Sequence, residues 1–419
     1  MSQSDSTPFG DRLKPALERL FAAVGSLWLR YEKGLADRYE TLRGAQLTGE
    51  ERRVLAVVGI SLAAVVALLA LNPVDAVVPL PVPSLTVPFV VSTLAIAGMY
   101  LLLTLGLNVQ WGYAGLVNFS VIAFWGIGAY SGALLAGSGS PHELELHPLY
   151  GLGLAVVLSV VLAVAIGLPT LRLRADYLAI ATLGFSEIIR IIILNEEWLT
   201  DGGLGVGGIP TLLSTWPFSL TEPVMAALAN LTGAQPRTVF DLFFVMAVVL
   251  AVFLVLRRTQ LSPWGRVLRT IRADEDIAQA LGKNSYWYKM QAFVLGSVIM
   301  AIAGWYYAHH VRFMTPGELE PIETFYIWVA VILGGSGSNR GAIIGGFTVV
   351  IILQGTRLLN ETVDWILFFV TVDASALRLL LVGLLVIVVV RLRPEGILPP
   401  QREHIWPGAL SERDGGEDK

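Results

Sequence analysis

Ten apolar runs, spaced along almost the whole chain, limit the fold more than any other feature. They cover 54–71, 85–107, 114–137, 149–168, 178–195, 239–256, 289–311, 322–336, 341–356 and 376–391. A helix needs about 20 apolar residues to cross the hydrocarbon layer, so shorter runs suggest broken or partly buried helices. Charged residues make up 15% of the chain, against about a quarter in an ordinary globular domain. We therefore expect an all-α polytopic membrane protein with about ten transmembrane helices.

Basic residues orient these spans. Cytoplasmic loops of membrane proteins carry an excess of Lys and Arg. Arg52 and Arg53 precede the first run, Arg172 and Arg174 follow the fourth, and Arg257 and Arg258 follow the sixth. Arg340 separates the eighth from the ninth, and Arg391 and Arg393 end the tenth. With a cytosolic turn near Gln110 between the second and third spans, every basic cluster falls on one side and both chain ends are cytosolic. Residues 1–50 are expected to form a cytosolic extension in which Leu13, Leu17, Leu20, Phe21 and Val24 line one face of an amphipathic helix, and an interfacial helix and a short soluble one both fit. They lack the apolar core of a cleavable signal peptide. The membrane domain is expected over 51–398, and a disordered cytosolic tail over 399–419. The longest outward segment, 196–238, keeps Trp198, Trp216, Phe218 and Leu231 and is expected to cap the outer side, with a short helix near 222–232.

Arg257–Lys289 is the longest polar segment between apolar runs. Trp264, Leu268 and Ile271 recur at helical spacing, and Ala278 and Leu281 continue the stripe. Arg266, Arg269, Arg272, Asp274, Glu275 and Asp276 lie off it. A solvated amphipathic linker and a docking helix for a soluble partner both fit this pattern.

Polar residues within the spans are the next candidates. Asn108, Gln110, Asn118 and Ser120 sit among the glycines of 106–135, where Gly128 and Gly132 form a close-packing GxxxG pair. Glycine-interrupted polar spans also line translocation paths. Glu187 and Arg190, at i and i+3, share a face of the fifth span. They are either a structural ion pair or a functional one. Asp176 stands where it can N-cap that span.

The same sequence excludes several chemistries. It has no cysteine and five histidines, and no HExxH motif, so a catalytic metal is not expected. The glycine-rich stretch 334–346 lacks the Lys-Ser/Thr end of a phosphate loop, so this chain is not expected to hydrolyse ATP. A net charge of −4 gives no reason to expect nucleic acid.

Five ordered blocks carry a resemblance: GLNVQWGYAGLVNFSVIAFWGIGAY (106–130), LRLRADYLAIATLGFSEIIRIII (171–193), 262–308, LGGSGSNRGAIIGG (333–346) and RLRPEGIL (391–398). Together they resemble the LivM-type permease of branched-chain amino acid ABC importers, a family that also includes urea and short-amide permeases. The resemblance implies a type II ABC importer-like fold and a non-catalytic subunit without a cofactor of its own. It further implies that ATP is bound by two cytosolic ABC ATPases. The other implied partners are a LivH-type permease subunit and an extracytoplasmic solute-binding protein.

Asp276-Ile277-Ala278 followed by Gly282 resembles the permease pattern Glu-Ala-Ala-x-x-x-Gly, with Asp for Glu and Ile for the first Ala. The resemblance therefore implies ATPase coupling through Gly265, Arg266, Arg269, Arg272, Asp274, Glu275, Asp276, Ala278 and Gly282. Asn108, Gln110, Asn118, Ser120, Glu187 and Arg190 are the translocation-pathway candidates. A different class, an ion-coupled secondary transporter or channel, would instead use Glu187 and Arg190 for coupling.

Overall fold

A computed structural model describes residues 87–215, 221–366, 383, 391 and 395–398. The expected amphipathic extension, the first span and the tail lie outside these residues, as do most of 376–391 and the segment 216–220.

Proline and short polar residues mark several helix starts. Pro148, Pro236, Pro263 and Pro321 each occupy a first helical position, where a missing N–H costs nothing. The helices are α1 (Val87–Leu107), α2 (Val121–Ala136), α3 (Pro148–Thr170), α4 (Ala175–Asn195), α5 (Thr221–Thr232) and α6 (Pro236–Leu261). The chain continues through α7 (Pro263–Ala273), α8 (Glu275–Ala280), α9 (Ser285–Val311), α10 (Pro321–Gly334) and α11 (Asn339–Ile366). By length and apolar composition α1, α3, α4, α6 and α9 can each cross a membrane, whereas α2, α10 and the apolar part of α11 are shorter.

Helices α2 and α9 form the centre and make the most extensive helix contact. Gly128 allows this: a Cβ there would strike the Ala301 carbonyl of α9, and one on Gly304 would strike the Trp125 carbonyl of α2. Small residues bring the two backbones together. On α3, Gly151, Ala155, Ser159, Ala163 and Gly167 recur every fourth residue and form its buried face against α2 and α9. Val157, Val161 and Leu168 stay exposed on α3, as do Ile180 and Ile188 on α4 and Phe243 and Leu250 on α6. These outward apolar faces suit lipid or a membrane partner.

The basic loops converge at one end of the bundle. The Arg172 guanidinium lies over the Tyr286 ring at 5.2 Å, and Tyr286 donates to the Leu168 carbonyl at 3.1 Å. Gln260 donates to the Gly337 carbonyl at 2.9 Å, joining the end of α6 to the α10–α11 turn. The backbone amides of Ile397 and Leu398 donate to the Leu333 and Gly334 carbonyls at 2.9 Å, so these two residues cover the C-terminus of α10. At the opposite end, Val206 pairs with Met314 and His309 bonds the Pro210 carbonyl at 2.9 Å, seating the 201–210 loop on the end of α9.

Four boundaries differ from the sequence expectation. The turn expected near Gln110 is instead a continuation of α1: a π turn, Asn108–Tyr113, in which Gln110 is fully buried. The third span begins at Val121 rather than 114, because Gly115 adopts a left-handed φ of +71° and Asn118 bonds its own following backbone. Helix α11 runs through the expected outer segment to Ile366, its added residues containing no proline. Arg174, not Asp176, holds the N-cap position of α4, and Asp176 lies in the first turn.

Candidate functional site

Two sets of residues organise the basic end: a pair of short surface helices and the buried polar groups beneath them. Ser262 caps α7, its hydroxyl accepting from the Gly265 amide at 3.5 Å. Gly265, Leu268 and Ile271 are buried, and Trp264 donates to Gln291 of α9 at 2.7 Å. The expected single stripe breaks after Ala273. Asp274 adopts extended backbone and its carboxylate accepts from the amides of Asp276 at 2.9 Å and Ile277 at 3.2 Å. An acidic N-cap starts a second helix here, α8, in a new direction. Ala278 remains buried, but Leu281 and Ile277 point outward at 69% and 54% exposure. Gly282 closes α8, donating to the Gln279 carbonyl at 2.8 Å.

The charges divide between the two sides. Arg266, Asp274 and Asp276 are exposed, and Arg269 is partly buried. Glu275 turns inward, accepting from Ser285 at 2.7 Å and pairing with Lys289. Arg272 lies at the surface, but its guanidinium reaches back to the Gly112 carbonyl and, at 2.9 Å, to the Ser336 hydroxyl. Gly265, Ala278, Glu275 and the head of Arg272 therefore serve the chain's own packing, while Arg266, Asp274, Asp276, Ile277 and Leu281 form the outward face. Sequence reasoning placed Leu281 on the buried stripe and gave Ile277 no place in the site. The Asp-Glu-Asp run that breaks the stripe is the signal for both.

The pathway candidates fall into three groups. Gln110 donates to the Phe293 carbonyl at 2.8 Å and to Ser297 at 3.2 Å, and accepts from Asn118 at 2.7 Å. The Asn118 side-chain oxygen in turn accepts from the Ser120 amide at 2.8 Å and hydroxyl at 2.6 Å. Asn108 belongs to a neighbouring cluster, donating to Asn339 at 3.0 Å and accepting from the Gly337 amide at 2.7 Å. Tyr113 also donates to Asn339, and Asn339 donates to Gln260 at 3.2 Å. All four candidate polar residues are fully buried, with hydrogen-bond partners for their side chains, so they tie α1 to α2, α6, α9 and α11. Asn339, Tyr113, Gln260 and Ser297 were absent from the sequence reading. Asn339 stood inside the glycine-rich stretch read as a turn.

Glu187 and Arg190 form the third group, apart from the other two. The guanidinium donates to both carboxylate oxygens, at 2.9 and 2.5 Å, with side-chain exposures of 38% for Glu187 and 28% for Arg190. The spacing is as the sequence suggested, and the pair sits on a partly exposed face of α4.

Comparison with known proteins bears on this arrangement. The family described as branched-chain amino acid transport system / permease component matches residues 89–390. The chain belongs to this family. It is 32% identical over 336 residues to the high-affinity branched-chain amino acid transport system permease protein LivM of Salmonella typhimurium strain LT2, covering 76% of this chain and 73% of that protein. It is 26% identical to the probable branched-chain amino acid transport permease protein LivM of Methanocaldococcus jannaschii, over 72% of this chain and 91% of that one. The LivH permease protein of Escherichia coli K12 is 24% identical over 64% of this chain and 86% of its own length. No solved structure matches the chain.

The matched region of the permease holds the π turn, α4, α7, α8 and the Asn339 cluster within one block of sequence. Within it Glu275 gives the surface helices a pH dependence. Desolvation pushes its carboxyl up, but the Lys289, Ser285 and Gln279 hydrogen bonds together with the Lys289 charge outweigh this and hold it below the ordinary range. A carboxyl lowered on folding stabilises the fold above its unfolded value of about 4.3, and that contribution disappears as pH falls through the folded value. Hydrogen-exchange protection over 274–289, taken relative to the intrinsic rate at each pH, is expected to fall below about pH 4 in the parent permease. Glu275→Gln is expected to remove that dependence on pH.

Proposed function

We propose that the chain is the transmembrane permease subunit of an ATP-driven importer of branched-chain or other amino acids. An extracytoplasmic binding protein delivers the substrate, and a second, LivH-type permease completes the pathway. Two cytosolic ABC ATPases bind and hydrolyse the ATP, so this chain has no catalytic role and no cofactor. The protein lies in the cell membrane of a prokaryote with both termini in the cytosol. The names of its LivM and LivH relatives support this reading.

The structural observation that carries it is α7–α8. Two short helices stand at the end of the bundle where the basic loops meet, and they present Ile277 and Leu281 to solvent between charged residues. A helix laying apolar anchors into a groove is a recurrent docking mode, and a moving groove would drive alternating access of the attached spans. The Glu187–Arg190 pair supports the second permease. A charged pair facing hydrocarbon is costly, so the α4 face bearing it suits a protein-lined or hydrated path.

Co-expression with candidate ATPases, a second permease and a binding protein tests the proposal. The purified complex is expected to hydrolyse ATP, faster when the binding protein carries substrate. A complex that assembles but whose ATPase ignores the loaded binding protein would count against it.

A further inference from the structure

We propose that Arg272 is a positioning residue that passes movement of α7–α8 to the membrane helices. The inference rests on the reading that α7–α8 receives the ATPase. It reverses the role expected for Arg272, from partner contact to internal link.

Helix α1 and its π turn run as one 27-residue helix, Val87–Tyr113. The last carbonyls of a helix have no intrahelical donor. Here the Gly115 amide serves Trp111 and the Leu116 amide serves Gln110, both at 3.0 Å. Gly112 receives the Arg272 guanidinium instead. A helix docked on the surface thus supplies a cationic cap to the negative end of a membrane helix. The fit is close: an ideal Cβ on Gly115 would lie 3.6 Å from the Arg272 Cα and 3.3 Å from its Cγ.

The other prong of the guanidinium holds Ser336 in the turn between α10 and α11. Its neighbour Gly337 bonds Asn108 through its amide and Gln260 through its carbonyl. One rigid fork therefore joins the end of α1 to the α10–α11 turn, and a planar guanidinium keeps both bonds in fixed relation. Elsewhere on α7, Trp264 bonds Gln291 of α9 at 2.7 Å, whereas Leu268 and Ile271 pack by shape and Arg266 bonds the nearby Leu261 carbonyl at 3.4 Å.

The receiving element is suited to movement. A π turn is a rare distortion of a helix and is found frequently at functional sites. This one carries Gln110, whose bonds reach α9 through Phe293 and Ser297 and the segment before α2 through Asn118. Displacing Arg272 alters the cap of the turn from which both connections start.

The test uses the full reconstituted complex with Arg272→Gln, measuring ATPase copurification and substrate taken up per ATP hydrolysed. Copurification and hydrolysis are expected to persist while uptake per ATP falls about tenfold or more, in the range of ordinary coupling energies. Arg272→Lys, which keeps the charge but not the fork, is expected to recover part of the loss. Unchanged uptake per ATP in Arg272→Gln overturns the proposal. Loss of ATPase copurification also overturns it, because Arg272 would then be a docking residue. If Arg272→Gln does not accumulate, Ser336→Ala takes its place: an intermediate fall supports the link and a parental ratio overturns it. Failure of the parental chain to copurify any ATPase would instead refute the functional reading on which the link rests.

Discussion

Replacing Ile277 and Leu281 together by aspartate is expected to release the ATPase while the permease still folds and inserts. Both side chains are more than half exposed, so their loss removes little from the permease itself. Surface substitutions of that kind usually stay within about 0.5 kcal/mol. Fully burying each aliphatic side chain in a partner groove contributes about 1.5–3 kcal/mol. Only the exposed 54% of Ile277 and 69% of Leu281 remain to be buried, so the pair supplies roughly 2–4 kcal/mol, or about 30-fold to 700-fold in affinity at 1.4 kcal/mol per decade. The introduced carboxylates add a desolvation cost on the same side of the balance. Arg266→Ala, an exposed charge beside them, is expected to change capture far less. Capture of the ATPase from solubilised membranes by tagged permease measures all three, and equal capture by the double variant would remove α8 from the docking face.

Gly128→Leu is expected to have the largest effect on the fold. Overpacking a core commonly costs about 1–3 kcal/mol because neighbouring side chains shift. At Gly128 the obstruction is the Ala301 backbone carbonyl, and Gly304 meets the Trp125 carbonyl in the same crossing. Backbone held in two buried helices cannot rotate aside, so α2 and α9 must separate. A cost of at least about 3 kcal/mol follows, seen as loss of monodisperse protein and a lower thermal midpoint in detergent. Gly153→Leu on α3 is the matched control: nothing lies within 4 Å of a Cβ there, and stability within about 0.5 kcal/mol of the parent is expected.

These two sites also show where the sequence was informative. Gly128 was legible as a packing residue because small residues four apart identify a close helix contact without a structure. The long helices were equally visible, since a run of twenty apolar residues has few alternatives. The π turn was hidden. Asn108-Val109-Gln110-Trp111-Gly112-Tyr113 reads as a polar turn, and the Phe293 carbonyl on α9 and the Asn339 side chain on α11 are the acceptors that explain why Gln110 and Asn108 are buried. The break at Asp274 was present in the sequence as an acidic cap, but the apolar period through Ile271, Ala278 and Leu281 continued across it. Periodicity concealed a change in direction, and that change is what exposes Ile277 and Leu281. For Glu187 and Arg190 the spacing predicted the pairing, while their partial exposure follows from the packing of α4 alone.

Uptake into proteoliposomes containing this permease, its second permease and two ATPases tests the central claim most directly. With ATP inside the vesicles and a loaded binding protein outside, a branched-chain amino acid is expected to accumulate, and omitting either ATP or the binding protein abolishes accumulation. Accumulation driven by an ion gradient in vesicles that hold this chain without any ATPase would contradict the account.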